Sequence, residues 1–123
     1  MSDLYAELLL ETAKNPSHYG LLKQYTTDAK NFNASCGDEI TVTIQLDGDV
    51  LVDIGWVGHG CVISRAHMSA LADLVIGRKV TEILSMQKKD LLSFFGFDDT
   101  MSPGREKCLL IGLLTIQAAL ETN

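Results

Sequence analysis

Between Glu39 and Val57 the spacing of apolar residues switches to a period of two, and no other stretch constrains the fold as tightly. Ile40, Val42, Ile44 and Leu46 alternate with Thr41, Thr43 and Gln45, the pattern of a strand with one buried face. Asp47-Gly48-Asp49 is a turn signal and Val50–Val57 supplies a second strand, so the two form a hairpin. A third strand is expected over Thr27–Asn31. A hairpin alone is marginal in water, so this sheet needs a covering layer.

The rest of the chain supplies that layer. Residues 2–14 read as an amphipathic helix with Ser2 as N-cap, ended at Asn15-Pro16 because proline pushes the preceding residue out of helical geometry. His18 is expected to order the turn that follows. A helix is predicted from about Val62 to Ile76, stopped by Gly77, and Thr81 is the expected N-cap of a shorter one. Leu91, Leu92, Phe94 and Phe95 mark another helical segment, and Pro103 opens a long helix to about Glu121. That last helix carries Leu109, Leu110, Ile111, Leu113, Leu114 and Ile116 nearly all round, which predicts a central buried position. Trp56 and the phenylalanines are expected in the core. The architecture is therefore α+β, a small antiparallel sheet with helices packed on one side, in a single domain spanning residues 1–123.

Composition narrows the function. Hydrophobic residues make up 46% of the chain, enough for one core without a disulfide or structural metal. Ten basic against sixteen acidic residues leave a formal charge of −6, which repels a phosphate backbone, so no nucleic acid partner is expected. No stretch reaches the roughly 20 apolar residues of a membrane span, and Met1-Ser2-Asp3-Leu4-Tyr5 lacks the character of a secretory signal. A cytoplasmic location and no membrane association are expected. Three cysteines, an odd number, argue against a disulfide framework in a reducing compartment.

The placement of those cysteines is informative. Cys36 lies in the loop Asn33-Ala34-Ser35-Cys36-Gly37-Asp38, Cys61 just before a helix, and Cys108 in the first turns of the last one. Loops and helix N-termini stabilise thiolates, whereas a structural cysteine more often sits mid-element. Gly37 lets the loop turn Cys36 and Asp38 the same way. Three thiolates and a carboxylate would make a four-coordinate site for zinc or for iron in a cluster, with the harder Asp38 oxygen as the exchangeable ligand. The separations, 24 residues between Cys36 and Cys61 and 46 between Cys61 and Cys108, match no zinc-finger pattern. Three unrelated small hydrophobes remain the alternative on spacing alone.

The surroundings of each cysteine resemble the IscU/SufU family of iron–sulfur cluster assembly proteins, the NifU N-terminal-like family, along nearly the whole chain. Asn15-Pro16-x-His18-x-Gly20 resembles the family's segment after its first helix, and Asn33 to Asp38 resembles its NPxCGD loop. Gly58-His59-Gly60-Cys61-Val62-Ile63-Ser64-Arg65-Ala66 resembles the GxGCxISxAS block. Leu74-Val75-Ile76-Gly77-Arg78 and Arg105-Glu106-Lys107-Cys108 complete the order.

The resemblance implies a three-stranded antiparallel sheet with packed helices (a SufE/NifU-like fold) and a metal site of Cys36, Asp38, Cys61 and Cys108. It further implies Zn2+ in the resting form, a nascent [2Fe–2S] cluster in some members, sulfur received from a pyridoxal-phosphate cysteine desulfurase, and delivery to iron–sulfur acceptor or carrier proteins. Cys36 is the expected sulfur acceptor, on the most mobile loop. Lys107 stands where IscU-type members have histidine, and Met101-Ser102-Pro103-Gly104 replaces their chaperone-recognition motif, as in SufU-type zinc-dependent sulfurtransferases. The insertion usual in SufU is missing, so scaffold and sulfur shuttle both stay open.

Around this set, Arg105 falls three residues before Cys108, on nearly the same helical face, and is the expected nearby charge. Lys107 points about 100° away and reads as solvated. Gly37 and His59 flank the ligands, while His67, standing where the family has serine, lies well around its helix from Cys61. Two rivals from other classes are a structural zinc-binding interaction domain and a cysteine hydrolase using His59 or His67 as base; the latter gives no reason for the Cys-Gly-Asp loop.

Overall fold

A computed structural model describes residues 16–33, 37–60, 62–94 and 103–121, with backbone alone at 33, 62–64, 92–94 and 103–109. Its strands are β1 (Thr27–Asn33), β2 (Asp38–Asp47) and β3 (Val50–His59), and its helices are α1 (Val62–Val75), α2 (Val80–Ser85), α3 (Lys88–Phe94) and α4 (Pro103–Glu121). The helix expected over residues 2–14, and Phe95 and Phe97, lie outside the described residues.

The sheet is antiparallel throughout, in the order β1-β2-β3. Its register follows from the alternation: Val42 pairs with Trp56 and Ile44 with Ile54, so the apolar set falls on one face. A register shift between Gln45 and Leu46 lets the hairpin close through Asp47 and Val50. On the inner face lie Ile40, Val42, Ile44, Ile54 and Trp56, each at most 2% exposed. They meet Met68, Leu71, Ala72 and Val75 of α1 and Ile111, Leu113, Ile116 and Ala119 of α4. Helix α4 packs on β1, β2, α1 and α2. At Gly112 an added Cβ would stand 2.8 Å from the Met68 sulfur, so α4 and α1 approach closely there.

The strands run further than the alternation predicts. β1 continues through Phe32 and Asn33, which pair with Glu39 and Asp38, and β3 continues to His59, opposite Glu39. Helix α2 begins at Val80 with Lys79, not Thr81, in the N-cap position, and Lys79 makes no side-chain cap. Lys79 is fixed from outside its own segment, by a backbone bridge to Val50 and by the Val80 amide donating to the Asp49 carbonyl at 2.7 Å. Helix α3 starts three residues before Leu91, where Asp90 Oδ2 accepts from the Gln87 amide at 2.8 Å.

Two core expectations need correction. Phe32 is 58% exposed, because β1 puts Thr27, Ala29 and Asn31 on the inner face and Phe32 on the outer one. Helix α4 is buried on a broad face only, and Leu114 is 51% exposed.

Residues 16–22 form a strap along the outer edge of β3. The Gly20 amide donates to the Trp56 carbonyl at 2.7 Å and the Trp56 amide to the His18 carbonyl at 3.2 Å. Trp56 Nε1 donates to the Ser17 carbonyl, and the Ser17 amide is bonded to Ser69 Oγ of α1. His18, in left-handed geometry at φ 60°, meets Asp73 of α1 through Nε2 at 2.9 Å. The expected ordering role of His18 is thus accounted for by a partner on α1.

Candidate metal centre

Asp38 opens β2 on the inner face, in line with Ile40 and Val42, and is only 1% exposed. Gly37 precedes it at φ +75°, a conformation glycine adopts without strain, and delivers the chain into β2 with Asp38 turned inward. Across the sheet, Gly60 follows the end of β3. A Cβ built on Gly60 would strike Asp38 Oδ1 and lie 2.8 Å from its carboxyl carbon. The Asp38 carboxylate therefore rests against bare backbone at the residue preceding Cys61. Gly58 repeats the close approach two residues inward, where a Cβ would stand 2.7 Å from the Glu39 carbonyl oxygen.

The outer face of the same sheet end carries charge. Glu39 accepts an ion pair from Lys30 at 2.7 Å, and its Cα partner across β3 is His59, an exposed residue. The Glu39 carboxyl is held below the usual carboxylate range, first by the hydrogen bond from Lys30 and then by the Lys30 charge. Lys30, Glu39 and His59 thus lie on the face opposite Asp38.

The flanks of two cysteines meet at this end. Asn33 pairs with Asp38, so the segment carrying Cys36 leaves and re-enters the sheet beside Asp38, and Cys61 joins Gly60 to α1. Cys36 and Cys61 themselves lie outside the described residues. Cys108 is the sixth residue of α4; its side chain and those of Arg105 and Lys107 lie outside the described set. Among the described residues, no three His, Cys, Asp or Glu side chains gather as a metal site. Asp38 is the one expected ligand whose side chain is placed.

His67 is 3% exposed, buried in α1, and loss of hydration lowers its pKa to about 4. The spacing that turns it away from Cys61 also turns it into the protein. Sequence reasoning did not single out Asp73, Ser69 or the pairing of Lys30 with Glu39. The last was open to it, since residues 30 and 39 are near neighbours once the β1–β2 register is known.

These features define a small α+β protein in which Asp38 and the flanks of Cys36 and Cys61 lie at one end of an antiparallel sheet. The model of the NifU-like N terminal domain matches residues 4–122, and the chain belongs to that family. It is 33% identical over 106 residues to the zinc-dependent sulfurtransferase SufU of Bacillus subtilis, covering 85% of this chain and 71% of that one. It is 32% identical to the iron–sulfur cluster assembly scaffold protein IscU of Thermotoga maritima, over 96% of this chain and 93% of the other. A solved structure described as a putative SUF-system scaffold protein from Fervidobacterium islandicum superposes with a TM-score of 0.78 at 27% identity, covering 98% of this chain and 99% of that one. Among the described residues, no helix is long and apolar enough to cross a membrane.

Proposed function

We propose that this chain is an iron–sulfur cluster assembly protein that accepts sulfur from a pyridoxal-phosphate cysteine desulfurase and supports its transfer toward nascent clusters. Cys36, Asp38, Cys61 and Cys108 are its working residues. The observation that carries the reading is the Asp38 carboxylate, withdrawn from water and lodged against Gly60 at the Cys61 junction. A side chain at position 60 would push that carboxylate away from the junction, so the glycine serves the carboxylate.

Chain geometry favours the same convergence. Two peptide units keep the Cα atoms of Cys36 and Asp38 within about 7 Å. At the far end of β1, Thr27 Oγ1 donates to the Ala119 carbonyl and anchors the last turns of α4. From there α4 carries the chain about 16 Å back to Cys108, while β1 covers about 20 Å to Asn33. A helix lying along β1 brings Cys108 toward the Asp38 end.

Three thiols beside a buried carboxylate fit zinc or iron, and Cys36, Asp38, Cys61 and Cys108 would hold it. When bound, the ion keeps the thiols deprotonated at neutral pH. The sulfur step belongs to Cys36. Its thiolate attacks the outer sulfur of the desulfurase persulfide, a new S–S bond forms on Cys36, and the old one breaks with its electron pair on the desulfurase thiolate. Arg105, one turn before Cys108, supplies positive charge for the anionic persulfide. Iron and sulfide assembled on the thiolates are cargo for acceptor or carrier proteins.

Metal analysis of the purified chain should find stoichiometric zinc or iron, and anaerobic addition of iron and sulfide should generate visible absorption. A chain that holds neither metal nor cluster would refute the site. Cys36→Ser should abolish stimulation of a partner desulfurase; full stimulation would move the acceptor role to another cysteine.

A further inference from the structure

Arg65 belongs to no part of the chemistry described above. It lies in the first turns of α1, one helical turn beyond Cys61. Its Nε is buried without a hydrogen-bond partner. No carboxylate among the described residues stands within ion-pairing distance of it, although acidic residues outnumber basic ones in the chain. Instead its guanidinium carbon sits 5.8 Å from the ring centre of Tyr19.

Tyr19 is fixed in turn. It forms a backbone bridge to Trp56, and its ring meets the Trp56 indole edge-on at 4.9 Å, while 47% of the residue stays exposed. Core tryptophan, surface tyrosine and arginine thus form one connected stack from β3 to solvent. A guanidinium held on an aromatic face keeps its planar fork of donors and loses little freedom on binding. An unmet buried donor is costly, and that cost is relieved when an incoming acceptor draws the fork outward.

We infer that Arg65, seated on Tyr19, is a docking point for a carboxylate side chain on the surface of the sulfur-donating desulfurase. The assignment rests on the sulfur-transfer reading above. On a chain of formal charge −6, a forked cation one helical turn beyond Cys61 offers a carboxylate of that partner a bidentate seat. Arginine and tyrosine are also the residue types in which binding energy concentrates at protein interfaces.

The test is calorimetric binding of the full, metal-loaded chain to a purified cysteine desulfurase at low and at high salt, with desulfurase stimulation measured in parallel. Arg65→Ala should raise Kd about tenfold at low salt and flatten the salt dependence. Arg65→Lys, which keeps charge and fold but not the fork, should recover only part of the affinity. Tyr19→Phe should bind like the unaltered chain, and Tyr19→Leu should bind like Arg65→Ala. Metal content and circular dichroism matching the unaltered chain exclude a folding defect, and Arg65→Lys carries the test if the alanine variant does not fold. Arg65 variants with unchanged Kd and salt slope, in a chain that still stimulates the desulfurase, overturn the docking assignment alone. An unaltered chain that neither binds nor stimulates overturns the sulfur-transfer reading and the docking point together.

Discussion

Single atoms decide the chemistry at Gly60. Adding one methyl group there places carbon on the Asp38 carboxylate, which must turn away from the Cys61 junction. Gly60→Ala should lower metal affinity about 10- to 100-fold, as loss of a ligand's support does, and competition with a chromogenic chelator measures it. His67 gives a second prediction at this scale. Its pKa is about 4 in the fold against 6.5 when free, so the unfolded chain binds the extra proton between those values. Its neutral form contributes fully above pH 6.5. The contribution is lost as pH falls toward 4, by about 3 kcal/mol in all. Urea unfolding over that range should show an acid limb that His67→Gln flattens. A variant with the same pH dependence as the unaltered chain would contradict the burial of a neutral imidazole.

Among the elements, the strap and β3 depend on each other. An added Cβ at Gly55 would collide with the Gly20 carbonyl oxygen and stand 3.0 Å from the Leu22 amide, both backbone atoms that cannot swing aside. Gly55→Ala should detach the strap, cost about 2–4 kcal/mol and lower Tm by roughly 10 °C. Hydrogen exchange at the Gly20 and Trp56 amides should rise, and Trp56 fluorescence should shift to the red. The hairpin was legible because its alternation is local and strong. The strap was not, because backbone bonds between segments nearly forty residues apart leave no periodic trace. The start of α2 was misplaced for the same reason: Thr81 has the better capping side chain, but the hairpin holds Lys79 in place. Phe32 shows the opposite failure. Its outward position follows from the alternation of β1, and its hydrophobicity was given too much weight. The cysteine side chains expected at one site lie outside the described residues, whereas the seat of Asp38 against Gly60 needed three dimensions.

Taken whole, the molecule rests on an apolar core that, among the described residues, runs from Ile40 to Leu120. Metal removal by a chelator should therefore leave far-ultraviolet circular dichroism unchanged and a cooperative melt in place. Collapse of the spectrum on chelation would favour the structural zinc domain instead. The last helix also completes elements made long before it. Gln117 Nε2 donates to the Ile83 and Met86 carbonyls at the end of α2, and Ala119 receives the Thr27 hydroxyl of β1. A nascent chain emerging from the ribosome leaves those groups waiting until α4 has been synthesised. Folding should thus finish only after translation of that helix, and chains stalled upstream of Gln117 should depend on chaperones or be degraded.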